Sequence, residues 1–349
     1  MSSPSLEDEA YLILCNNATL PNELLGSIRD VRVEHEISVP GMFSFTLGMM
    51  SASGAWQGAN LDVFKPGDTV AIRMGSGQLH QMIVGQITAI EPRFAADSVV
   101  TIRGFDRMYG LKFGTRTRVF ENLSESDIAQ DVAGSIGLRV RTEGRATTIN
   151  SYVKQYRQSN YEFLIERCRQ INYELMIDGT TLVFRPSGQG ASPVRSLSYP
   201  KDLIHVDLDL RVPTAGSTVT VYGFNAETNE TISAVSRGGT QSDLMGGQVN
   251  GYAMAARFPD SAITLERGDI ANVEALQTIA DAGYQTDLEA FIEGSASLNG
   301  DPDIVAGVNV KLDGLTDRFN GTYYVTSSVH AYDNDSGYTT EIKLRRTGA

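Results

Sequence analysis

The residues best able to do acid–base or metal chemistry in this 349-residue chain are its four histidines, His35, His80, His205 and His330. A zinc site draws nitrogen or sulfur ligands together, commonly with two of them a few positions apart, and no histidine here has a second at ligand spacing. A metal or catalytic-histidine centre would therefore have to be built entirely by folding. Glu34-His35-Glu36 lies on an alternating stretch and reads as the solvated face of a strand. Asp207-Leu208-Asp209 would set two carboxylates on one strand face, as a metal pair requires, but its alternation with Val206, Leu208 and Leu210 is that of an ordinary half-buried strand. Asp333-Asn334-Asp335-Ser336-Gly337 opens like a calcium loop, yet Gly337 falls one place early for an EF-hand and no closing Glu follows. A tight hairpin turn accounts for it better.

The remaining reactive side chains point the same way. Cys15 sits in an apolar run and Cys168 in a helical pattern, so both read as small buried hydrophobes rather than a disulfide. No nucleophile elbow, Walker loop, dinucleotide-binding glycine fingerprint or His-Glu-x-x-His helix occurs. The single Trp56 and the group Met42, Met49 and Met50 fit core or loop-anchor positions. No catalytic residue, metal ligand or cofactor is expected. The 29 basic against 42 acidic residues, a formal charge of −13, disfavour nucleic-acid recognition as the main role. No apolar run reaches the length of a membrane span, and the start, Met1 to Glu9, is polar and acidic. The expectation is a protein made in the producer cytoplasm with no membrane insertion of its own.

The elements that would carry these residues are mostly strands. From Tyr11 to Phe113 apolar residues recur at every second position, as in Ile28 to Ile37, Val70/Ile72/Met74 and Val100/Ile102, with turns at Pro40-Gly41, Pro66-Gly67 and Gly75-Ser76-Gly77. Short strands without an intervening helix make an antiparallel barrel or sandwich. After Gly114 the period changes. Ser124-Glu125-Ser126-Asp127 opens a helix whose Ile128, Val132 and Ile136 recur every fourth position and whose stop is Gly137. Ser159 and Glu162 form a second capping box ahead of Phe163, Leu164, Cys168 and Ile171. Asp178-Gly179 between two β runs predicts a tight hairpin. Ser187 to Pro193 reads as a linker, and 238–251 as a glycine-rich loop. A third helix carries Val273, Leu276, Ile279 and Ala280. Four regions result: 1–113, a first β-barrel; 114–190, an α+β insert; 191–235 with 301–349, a second β-barrel; and 236–300, a loop-and-helix insert.

The strongest signal is a duplication. Pro66 to Ile72, Gly85 to Ile90 and Val99 to Phe105 repeat, roughly 240 residues on, as Ala306 to Leu312, Gly321 to Val325 and Thr339 to Leu344, in the order turn, strand, turn, strand, loop, strand. Matching Gly67 with Gly307 and Gly85 with Gly321 gives spacings of 18 and 14 residues, so the copies differ in loop length. Ser217 to Asn225 also echoes Ser98 to Asp106.

Several stretches, in order, resemble the hub family of contractile injection machines, the phage late-control D proteins and the N-terminal half of type VI secretion spike proteins. They are Ser27 to Val33 with Pro40 to Phe45, Arg118 to Ile128 with Gly137-Leu138, Tyr156 to Leu164, and Arg318 to Val325 through Gly337 to Glu341. The resemblance implies a mainly β fold with α+β inserts and two similar antiparallel tube-type β-barrels per chain, forming a pseudo-sixfold trimeric ring. It implies a structural hub adapting a hexameric inner tube to a trimeric spike, built into the baseplate of a phage tail, bacteriocin or extracellular injection particle with other baseplate components. The chain ends at Leu344-Arg345-Arg346-Thr347-Gly348-Ala349, where a spike protein would continue. The spike is therefore expected to be a separate polypeptide facing Leu344, Arg345 and Arg346. The rival reading, a tail-associated peptidoglycan-degrading enzyme, would need paired carboxylates in a cleft about 5 to 9.5 Å apart, and no such pair is nominated. A carbohydrate-binding module would need exposed aromatic clusters, which are not evident.

Overall fold

The computed structural model describes residues 10–50, 63–144, 146, 148–213, 218–225, 228–237, 244–255, 262–268, 270–289 and 291–349. The acidic start, Trp56 and the stretch 238–243 lie outside these.

The first repeat contains β1 (Tyr11–Cys15), β2 (Ala18–Thr19), the single turn α1 (Asn22–Leu25), β3 (Ile28–Glu36), β4 (Val39–Gly48), β5 (Thr69–Met74), β6 (His80–Arg93) and β7 (Val99–Asp106). Alternation in these strands turns Val31, Val33, Phe43, Phe45, Leu47, Val70, Ile72, Val100 and Ile102 onto one core, where none has measurable exposure. A first insert follows: β8 (Arg116–Ser124), α2 (Glu125–Gly134), β9 (Arg139–Thr142), β10 (Ile149–Gln158), α3 (Asn160–Gln170), β11 (Tyr173–Asp178) and β12 (Thr181–Pro186). Both capping boxes form, Ser124 with Asp127 and Ser159 with Glu162. Phe120, Ile128, Val132, Phe163, Leu164, Cys168 and Leu182 make a separate core.

The chain then enters a second repeat with β13 (Arg195–Ser198) and β14 (Leu203–Leu210), and leaves it for a second insert of β15 (Thr218–Asn225), β16 (Glu230–Ser236), α4 (Gly251–Ala255), β17 (Ala262–Arg267) and α5 (Val273–Glu289). It returns through β18 (Ile292–Asn299), β19 (Asn309–Asp313), β20 (Gly321–Asp333) and β21 (Gly337–Arg346).

Hydrogen bonding gives the duplication an exact form. The order β5-β6-β7-β4-β3 in the first repeat recurs as β19-β20-β21-β18-β14 in the second, all pairs antiparallel. Both copies irregularly pass over one threonine, Thr88 between Ile87 and Ala89 and Thr326 between Val325 and Ser327. Both copies also shift register at the start of the outer strand, between Ile28 and Asp30 and between Leu203 and His205. Gly67 and Gly307 hold φ of 94° and 92°, and each donates its N–H over 2.8 Å to the residue before the bulge, Ile87 or Val325. Core positions correspond in register: Val70 with Val310, Ile72 with Leu312, Ile102 with Ile342. One pair exchanges its volumes. Phe43 lies opposite Gly104 in the first repeat, and Gly294 opposite Leu344 in the second. A Cβ on Gly104 would meet the Phe43 ring at 2.3 Å, so the bulk at this level is supplied from one side only.

Register corrects parts of the sequence reading. With Gly67 matched to Gly307, Gly85 pairs with Val70 and its counterpart is Tyr323, which pairs with Val310. Gly321 falls two residues earlier, so this connection differs by less than the glycine spacing suggests. β15 and β16 do not belong to the second barrel region: with β17 they form a three-stranded sheet of their own under α5. The Val-Thr-Val pattern of β15 matches β7 locally, but a period of two says nothing about which sheet a strand joins. Conversely β18, expected within the 236–300 insert, is the second repeat's counterpart of β4. At the β11–β12 hairpin Asp178 pairs with Thr181, leaving Gly179 and Thr180 in the turn with positive φ at Gly179 alone.

Candidate functional site: the seam between the repeats

The two repeats share one thirteen-stranded sheet, because β20 of the second pairs antiparallel with β3 of the first from Ser327↔Glu36 to Asp333↔Asp30. β20 is long enough for both tasks. Its first residues, Gly321 to Tyr324, pair with β19, and its last, from Ser327, turn the same edge to β3. The ladder continues past the strand end, where Ile37 donates its N–H to the Thr326 carbonyl over 2.9 Å.

Folding brings two of the four histidines together at this seam. His35 and His330 have ring centroids 6.5 Å apart in an edge-on arrangement. Three of their four nitrogens are engaged, His35 Nδ1 being buried without a partner among the described residues: His35 Nε2 lies 3.0 Å from the Met82 carbonyl, and His330 Nε2 lies 3.2 Å from that of Ile304. His330 Nδ1 faces the Tyr338 hydroxyl at 2.9 Å and the Thr340 hydroxyl at 3.2 Å. Burial dominates both titrations. It lowers His35 to about 4, and, with the neighbouring His35 ring, lowers His330 to about 3. Both rings are neutral seam residues, each donating Nε2–H to a carbonyl. His80 lies 3.5 Å from Asp303 and so ties β6 to the second repeat, while His205 and Asp207 meet at 2.7 Å on the exposed face of β14.

The first insert clamps the seam from one side. Tyr161 donates its hydroxyl to the Ser38 carbonyl at the β3–β4 turn over 2.9 Å, and Leu175 N–H donates to Ser38 Oγ over 3.1 Å. On the second repeat, Arg185 donates to the Gly307 carbonyl over 2.9 Å and Tyr324 donates to Glu174 over 2.6 Å. Glu289, 2.8 Å from Arg345, is raised to about 7 because burial and the nearby Glu174 outweigh the attraction of Arg345. Burial likewise raises Asp106 to about 7 against backbone N–H bonds that favour its anion, among them those of Gly41 and Met108 at 2.8 Å each.

The three residues expected to face a spike are turned inward. Leu344 and Arg346 are 2 % and 0 % exposed, Arg346 donating to the Asn320 carbonyl over 2.8 Å with its guanidinium over the Tyr323 ring. Arg345 is held between Glu289 and Glu174. Leu344 and Arg346 build the interior of this end of the second repeat, and Arg345 packs on the opposite face of β21. β21 alternates, with Glu341 and Lys343 exposed on its outer face, and on that face Arg345 alone meets Glu174 of β11 and Glu289 of α5, which the alternation does not reveal. Asp207 and Asp209 share a face, each engaged by a residue two positions away, His205 and Arg211. Asp333 accepts N–H bonds from Asp335 and Ser336 and closes the β20–β21 hairpin at Gly337. Among the described residues no three His, Cys, Asp or Glu side chains gather as a metal site, and no helix is long and apolar enough to cross a membrane. What sequence reasoning missed is the seam itself: neither β3 nor β20 carries a local sign of its partner.

The mainly β fold with its large antiparallel sheet matches the folds of phage tail proteins. A tail protein from Neisseria meningitidis matches with a TM-score of 0.71 at 13 % identity, covering 97 % of this chain and 96 % of that one. The 43 kDa tail protein of prophage MuSo2 from Shewanella oneidensis matches at 0.72 and 12 %, covering 97 % and 98 %. An Escherichia coli component of the type VI secretion system, itself similar in structure to T4 tail proteins, matches at 0.59 and 10 %, covering 96 % and 76 %. The family model of the Alg8 N-terminal domain matches residues 9–334, and the chain belongs to that family. No curated protein sequence matches it.

Proposed function

We propose that the chain is a non-enzymatic structural hub of a tail-like contractile injection machine, three copies of which form a ring that joins a hexameric inner tube to a separate trimeric spike. The observation that carries this reading is the same strand order appearing twice in one sheet. A ring of three meets a partner of sixfold symmetry on equal terms only if each subunit presents two equivalent units. The tail-protein fold supports a place in a tail or baseplate, among other baseplate components and within the assembled particle. We assign the spike-facing surface to the end of the second repeat around Leu344, Arg345 and Arg346. The excess of acidic residues suits a channel wall that does not retain nucleic acid.

Light scattering on the purified chain tests the ring. Three chains of 37.9 kDa give about 114 kDa. Co-purification with a tube protein and a separate spike protein tests the adaptor. Release of fragments from purified peptidoglycan by the chain alone would replace the hub reading with that of a wall-degrading enzyme.

A further inference from the structure

The internal seam is a template whose second half is missing from the single chain. Within the chain, β20 of one repeat pairs with β3 of the other. By the repeat's own register β6 is the counterpart of β20, and β14 the counterpart of β3. Among the described residues, β14 pairs only with β18, and the distal half of β6, from Ala89 to Arg93, pairs only with β7. These two edges lie seven places apart in the strand order, so they do not satisfy one another within a chain. Burial records the difference. Val31 and Val33 on β3 are fully buried, while Val206 and Leu208, their counterparts on β14, are only partly covered.

We propose that β14 of one copy adds antiparallel to the distal half of β6 of the next copy, in the register that β3 and β20 use inside the chain. This inference rests on reading the repeats as equivalent ring units and names the surface that joins them. Ser328↔His35 becomes Ile90↔Leu210 between copies, His330↔Val33 becomes Pro92↔Leu208, and Ala331↔Arg32 becomes Arg93↔Asp207. The register sets apolar side chains against apolar ones on the core face and opposite charges against each other on the outer face. A slip by one residue would set Ile90 against Asp209. The one like-charged pairing, Glu91↔Asp209, is neutralised by in-chain partners, Arg103 at 3.2 Å and Arg211 at 2.7 Å. Pro92 offers no N–H, which costs this edge one donor and protects it from indiscriminate pairing.

Cysteine cross-linking tests the register. Arg93→Cys combined with Asp207→Cys, both at exposed positions, should oxidise to a covalent ladder that ends at three chains, above the background of either single variant. Arg93→Cys with Asp209→Cys, displaced by two residues on the same face, should give no more than that background. A species near 114 kDa in light scattering with no Arg93→Cys/Asp207→Cys cross-link, or equal cross-linking of the displaced pair, would overturn this interface and leave the ring reading intact. A ladder running past three would uphold the strand pairing and overturn the trimer. A monomer with neither cross-link would overturn both.

Discussion

His330 shows how the seam depends on a protonation state. Its ring is neutral in the folded chain, lowered to about 3, and His35 to about 4, whereas an unfolded histidine titrates near 6.5. Below about pH 6.5 the unfolded chain takes up protons that the folded chain refuses, so each ring removes stability as pH falls, by about 1.4 kcal/mol per unit until its folded value is reached. Asp106 and Glu289 act in the opposite sense. Both are raised to about 7, so between pH 7 and the ordinary carboxylate range the folded chain holds protons that the unfolded chain releases, and stability rises on acidification. The four groups largely offset one another, and a simple acid titration of the whole protein conceals them. The difference between wild type and His330→Gln isolates one. At pH 7 the substitution should cost about 1 to 3 kcal/mol in urea unfolding, from lost hydrogen bonds to Tyr338, Thr340 and Ile304. At pH 5 the gap should narrow by about 2 kcal/mol. A gap independent of pH would mean that the ring is open to water, and a gap that widens would mean that it is charged in the seam.

At the scale of elements, the strands of the first repeat, both capped helices and the Gly67 and Gly307 turns were legible because each rests on neighbours in sequence: alternation, a capping box, a positive φ. The membership of sheets was not. β15 and β7 read alike and lie in different sheets, while β18, called part of an insert, is the counterpart of β4, since pairing is decided by residues far away in the chain. The site was legible only as a duplication. That His35 and His330 meet depends on the β3–β20 pairing, for which neither strand carries a local mark. The paired glycine turns give the element-scale prediction. Gly67→Ala adds a Cβ into open space and should cost about 1 kcal/mol, the strain of an L-residue at φ 94°. Gly307→Ala carries the same strain, but its Cβ would also meet Arg185 Nη2 and Met176 Cε at 2.6 Å. It should cost at least about 2 kcal/mol more, by loosening the clamp between the first insert and the second repeat. Thermal unfolding of the two variants compares them directly, and equal losses would show that the insert does not restrain this turn.

At the scale of the whole molecule, one strand position exists twice in different circumstances, and this separates what holds a chain together from what would hold copies together. Val33 on β3 is completely buried because β20 covers it, and its counterpart Leu208 lies on the edge strand β14. Val33→Lys forces a charge into the seam and should destabilise the chain by more than about 4 kcal/mol, giving insoluble or unfolded protein. Leu208→Lys keeps its ammonium group in water along the open edge, so the single chain should unfold within about 1 to 2 kcal/mol of wild type. In the ring the same lysine would lie opposite Pro92 of the neighbouring copy, on the face where Ile90 and Leu210 meet. Light scattering of Leu208→Lys should therefore report a folded monomer near 37.9 kDa under conditions where the wild type has the mass of three chains. If Leu208→Lys assembles as the wild type does, β14 is not the edge through which copies join, and the second repeat's resemblance to the first ends at the boundary of the chain.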